Sequence, residues 1–166
     1  MAACSGASAQ RDTVNSFFDA IKNDDLNRAK QYVMNGQELS TVLSVAKELK
    51  LDEDALLSFS GSFKAITYNI LSAKEEETKT AVTVELSIPD YSKALEKSIK
   101  ESDKKLDKNE LQKNIIKSMS AQTPEYIDKT ITVYLYKVND KWLIDESDFE
   151  LLNAINGNII NVLTQK

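Results

Sequence analysis

The chain has no histidine at all and one cysteine, Cys4, among its 166 residues. The first absence removes the side chain that normally moves protons near neutral pH, and with it every triad built on histidine. The second excludes an intrachain disulfide, and together they leave too few soft ligands for a zinc site. Glycine (4) and proline (2) are scarce, so long flexible linkers are not expected. Arginine occurs only at Arg11 and Arg28, which leaves few guanidinium forks for phosphate. A net charge of −5 argues against a basic nucleic-acid-binding face and against a domain held flat on anionic lipid. No apolar run reaches the length of about 20 residues that a membrane helix needs. Calcium is not expected: Asp103, Asp107, Asn109 and Glu110 are dense but lack the loop spacing and its glycine. Neither a glycine-rich phosphate loop nor a GxSxG elbow is present. No cofactor and no metal are therefore expected.

What is present is a regular pattern of apolar stripes. Val14, Phe17, Phe18 and Ile21 recur at helical spacing, and helix is expected over 12–34 with an interruption at Asn23-Asp24-Asp25. Asp24 or Asp25 can cap the second part. Leu39, Val42, Leu43, Ala46 and Leu49 predict a helix over 38–50, and Asp52 caps a short fourth segment. The period then changes to two. Ile66, Tyr68 and Ile70 alternate with polar neighbours, Lys74 to Thr78 form a hairpin connection, and Val82, Val84, Leu86 and Ile88 alternate cleanly until Pro89-Asp90 ends the strand.

Residues 91–121 return to helical spacing, with one stripe at Tyr91, Leu95 and Ile99 and another at Leu111, Ile115 and Met119. Asp107 and Glu110 resemble a capping box, so two helices breaking near Leu106 are expected. The charged stretch between the stripes reads as a partner face or as a solvated joint. After Pro124, Ile131, Val133 and Leu135 alternate with Thr132, Tyr134 and Tyr136; Val138 to Lys141 turn, and Trp142, Leu143 and Ile144 return. Ser147 and Glu150 make a second capping box for a last helix over 147–164, weakened at Gly157 by about 1 kcal/mol relative to alanine.

Two resemblances follow from these residues. Ala2-Ala3-Cys4-Ser5-Gly6 resembles the end of a bacterial lipoprotein signal peptide, with Cys4 as the lipidated residue. That resemblance implies a membrane-anchored, extracytoplasmic protein, with residues 1–11 as cleavage-site remnant and tether and 12–166 as a single domain. The six residues after Cys4, Ser5 to Gln10, span at most about 20 Å, so the domain would sit close to the membrane. Second, "VNSFFDAIKNDDLNRAKQYV" at 14–33 and the paired strands around Trp142 are similar to the NTF2-like (cystatin-like α+β cone) superfamily, within it to small bacterial lipoproteins. The implied fold is α+β, with N-terminal helices packed on a curved antiparallel sheet. The helical segment 91–121 and the C-terminal helix are additions to that pattern, and an added helix can close or fill the cone.

Within such a cone Tyr68, Tyr134, Tyr136 and Trp142 are the candidate ligand-binding residues. Each has a plainer reading: strand tyrosines pack across strands, and Trp142 can anchor the core against Phe17 and Phe18. The expected activity is noncatalytic binding of a small apolar ligand or of an envelope protein. Two other readings stand beside it. One is an isomerase- or dehydratase-type enzyme with an aspartate, Asp145 among the candidates, beside a tyrosine in a pocket. The other is a structural or inhibitory lipoprotein with an exposed apolar patch, for instance on the last helix.

Overall fold

The computed structural model describes residues 7–37 and 39–164. Cys4 and the lipidation reading lie outside the described residues. Helix α1 spans Ser8–Lys22 and therefore begins inside the segment expected as tether. Gln10 is already buried there, its amide donating to the Glu75 carboxylate at 2.8 Å and to Thr80 Oγ1 at 3.3 Å. The stripe Val14, Phe17, Phe18, Ile21 faces the core, as helical spacing requires. Asp24, at φ 55°, ends the helix, and Asp25 accepts from the Arg28 N–H at 3.0 Å to start the short α2, Leu26–Ala29. Helices α3 (Val42–Glu48) and α4 (Glu53–Lys64) follow. The first is shorter than its apolar spacing suggested, because Thr41 and Ser44 form the capping box; the second runs on from its Asp52 cap for a full 12 residues.

Four strands make one antiparallel sheet in the order β1 (Thr67–Glu75), β2 (Lys79–Asp90), β3 (Glu125–Val138), β4 (Lys141–Ile144). The expected α+β architecture is present. Val82, Val84, Leu86 and Ile88 of β2 and Ile131, Val133 and Leu135 of β3 are buried on the helix-covered face. A bulge between Ile70 and Ser72 leaves Leu71 exposed and returns Ala73 to the face of Val82. Pro89 does not end β2; the strand continues through Asp90, paired with Glu125. The missing proline N–H is harmless because β1 stops at Thr67, opposite Ser87, so β2 has no neighbour on that side at Pro89. Asn139 and Asp140, both at positive φ (49° and 63°), form the tight β3–β4 turn. Glu146, 2% exposed, accepts from the backbone N–H groups of Met34 and Asn35 and fastens the loop after α2 to the end of β4.

The inserted segment is two helices, as expected: α5 (Ser92–Glu101) and α6 (Lys108–Ser120), the latter capped by Asp107, which accepts from Asn109 and Glu110 N–H. The C-terminal region differs from the single helix expected over 147–164. It forms α7 (Phe149–Ile155) and α8 (Ile160–Thr164). The N-cap is Asp148 rather than Ser147, whose hydroxyl instead donates to Asp145 at 2.6 Å. The break falls at Gly157 (φ 66°) and Asn158 (φ 62°), two successive left-handed residues that no helix tolerates.

Polar contacts hold this break. The Gly157 carbonyl accepts from Tyr91 N–H at 2.8 Å. Asn158 donates to Asp90 Oδ1 at 3.1 Å and accepts from Asn153 at 2.7 Å and Lys129 at 2.9 Å. Asn153 Oδ1 accepts from Ile160 N–H at 3.0 Å, which starts α8. Asp90 would be raised by burial, but its hydrogen bonds from Ser92 and Asn158 outweigh this and hold its carboxyl below the usual value.

Two outcomes follow. A Cβ on Gly157 would sit 2.8 Å from Tyr91 Cδ2 at a φ that alanine rarely adopts. Gly157→Ala should therefore destabilise the fold by about 1–3 kcal/mol in urea denaturation, against a gain for a harmless glycine-to-alanine change. A carboxyl depressed in the folded state stabilises above its unfolded pKa and loses that contribution as pH falls through the folded value. The stability difference between wild type and Asp90→Asn should thus be present at neutral pH and shrink as urea midpoints are followed down into acid.

Candidate functional site

The apolar stripes of the inserted and C-terminal helices meet around a groove of about 530 Å³. Its floor is α6, which contributes Lys108, Leu111, Gln112, Ile115, Ile116 and Met119. Those positions recur at three- and four-residue spacing along the whole helix, so one face of α6 looks into the groove. Leu95 and Ile99 of α5 form one wall; Leu152, Ile159, Ile160 and Leu163 of the α7–α8 region and Val42 and Val45 of α3 form the other.

The packing of α6 is unusual. Only Met119 and Ser120 are fully buried, although Leu111, Ile115 and Ile116 are large and aliphatic. Fully covering one such side chain is worth about 1.5–3 kcal/mol relative to leaving it in water. The domain leaves part of that gain unrealised along three turns of helix. The polar lining is sparse: Ser40, Lys108, Gln112 and Asn156, with Lys108 the one charged residue. Asn156 is already engaged, its amide donating to the Leu152 carbonyl at 2.8 Å. The lining is mostly apolar and presents no nucleophile–base pair.

The four residues expected to line a cone are not brought together. Tyr68 pairs with Leu86 and lies on the helix-covered face, at the β1 edge. Its ring stacks on Phe18 at 5.2 Å, and its hydroxyl donates to Asp19 Oδ1 at 2.7 Å. Burial, then the Asp19 carboxylate, raises its pKa, so it stays a protonated tie between α1 and the sheet edge. Trp142 is half-buried on the same face but at the opposite edge, where its carbonyl accepts from Thr13 Oγ1 at 3.3 Å. The ring partners of Phe18 among the described residues are Phe17 and Tyr68, not Trp142.

Tyr134 and Tyr136 do not point into the cone. Val133 and Leu135 are buried on the helix side, so the pleat turns both tyrosines to the outer face. There Lys79 Nζ stands 4.6 Å from the Tyr134 ring centroid. Asp145 accepts from the Ser147 N–H and hydroxyl, apart from any of these tyrosine hydroxyls. Among the described residues, no group of three or more carboxylates or thiols is placed to hold a metal ion, and no helix is long and apolar enough to cross a membrane. The signal for the groove was in the stripes at Leu95/Ile99 and Leu111/Ile115/Met119, which spacing marked as apolar but could not mark as half covered.

No protein-family model matches the chain, and no curated protein matches it. Among solved structures, the chain is similar to an NTF2-like protein of unknown function from Shewanella oneidensis MR-1, at 12% identity and a TM-score of 0.45 over 83% of this chain and 93% of that one. It is also similar to a candidate lipoprotein, ycdA, from Bacillus subtilis subsp. subtilis str. 168, at 18% identity and a TM-score of 0.37 over 89% of this chain. The chain spans about half the length of that second protein (47%). Likenesses this distant say nothing of ligand or mechanism.

Proposed function

We propose that this chain is the noncatalytic binding domain of a bacterial lipoprotein, anchored through Cys4 outside the membrane, and that it holds a small apolar ligand in the groove floored by α6. The observation that carries the reading is the half-covered stripe Leu111, Ile115, Ile116 beside a groove of about 530 Å³. That size falls within the range of about 300–1,000 Å³ usual for small-molecule sites, and the lining is apolar with a few polar groups, as such sites are. The Tyr68–Asp19 pair lies at the β1 edge and is not part of the groove lining.

The geometry also fits an anchored carrier. Helix α1 starts where Gln10 meets Thr80, whereas the groove helices gather at the Asp90 end of β2. Thr80 to Asp90 is about 33 Å of strand at roughly 3.3 Å per residue. A lipid on Cys4 would hold one end of the domain at the membrane and the groove towards the other.

The binding reading is tested with an apolar fluorophore such as N-phenylnaphthylamine. Saturable enhancement at one probe per chain is expected; a response that is linear and unsaturable would sink it. Anchoring is tested separately by expressing the full-length gene in a bacterial host. The protein should sediment with membranes, and Cys4→Ala should release it; a soluble protein with Cys4 intact would overturn the anchor.

A further inference from the structure

We infer that the ligand of the groove is a single unbranched acyl chain bearing an anionic head group, with the head at Lys108 and the chain running along α6 towards Met119. This rests on the groove being a ligand site and adds the chemical class of what fills it.

The shape argues for a chain. Lining positions continue along α6 from Lys108 to Met119, a path of about 16 Å at 1.5 Å per residue. A saturated chain with bonds of about 1.5 Å at tetrahedral angles covers that length with roughly a dozen carbons. The groove also reaches into the domain. Met119, Leu95 and Val42 are already almost free of water within the domain, while Leu163 at the rim is 59% exposed. What remains open runs beside half-buried Ile99, Ile115 and Ile116, an apolar track along the helix that methylenes can fill.

The charge argues for the head group. The protein is acidic overall, at −5, yet the one ionised side chain lining the groove is a lysine at its end. Among the described residues Lys108 has no ion-pair partner. The adjacent Asp107 is engaged as the N-cap, its carboxylate accepting from the Asn109 and Glu110 N–H groups at 2.9 and 3.1 Å. Gln112, one turn further in, brings an amide to the same end. A cation and an amide at one end of an otherwise apolar slot match a carboxylate on a hydrocarbon tail.

The experiment is a calorimetric titration of the full chain with saturated carboxylates below their micellar concentrations. Affinity should climb about fourfold per added methylene and level off near the dozen carbons that fill the slot. An alcohol of equal length should bind about tenfold more weakly, the loss of one charge-assisted contact. Lys108→Gln should erase that difference and leave alcohol binding unchanged. Ile115→Trp should abolish both at an unchanged melting temperature, with Leu111→Phe as the second variant if Ile115→Trp melts early. Equal binding of carboxylate and alcohol, or no dependence on chain length, overturns the inference while the apolar-site reading stands. Absence of saturable binding by any apolar probe overturns both. An amphipathic peptide that binds the groove and resists displacement by carboxylates also overturns it, in favour of a protein partner.

Discussion

The architecture turns on the left-handed pair Gly157–Asn158. Asn158 alone joins β2 through Asp90, β3 through Lys129 and α7 through Asn153, and the Gly157 carbonyl receives Tyr91 at the start of α5. These are buried or half-buried polar groups, so each needs its partner and the set acts as one unit. Because the chain reverses here, α8 turns back against α5 rather than continuing along α7. That reversal sets the second wall of the groove. A straight helix over the same residues would send Ile159, Ile160 and Leu163 elsewhere.

The core beneath is conventional. Helix α1, with buried Phe17 and Phe18, packs against β1, β2 and β4, and both layers are legible as stripes of the right period. Helix α6 leaves Leu111, Ile115 and Ile116 only half-buried beside the groove, while Met119 on the same helix belongs to the core.

Much of this was legible beforehand. The α1 stripe, the Asp52 and Asp107 caps, the clean alternation of β2 and the Asn139-Asp140 turn are local features, decided by neighbours within a few residues. The placement of Tyr134 and Tyr136 illustrates a different failure. Their parity against Val133 and Leu135 already put them on the opposite side from the core, and only the superfamily's cone suggested otherwise. Pleat geometry outweighs analogy, since a strand cannot turn alternate side chains to one face. Ser147, expected as a cap, lost to Asp148 because Asp145 takes its hydroxyl.

By itself the sequence determined composition, charge, the helical and strand stripes and the lack of histidine, which exclude histidine-based catalysis and mark the α+β class. It determined that Leu95, Ile99, Leu111, Ile115 and Met119 are apolar on one side. The tertiary structure alone decided that these stripes face one another across a gap, that the last helix breaks at two left-handed residues, and that Lys108 stands at the end of the gap. The reason is physical: periodicity reports which side of an element avoids water, whereas coverage of that side depends on elements distant in the chain and on the angle at which they arrive.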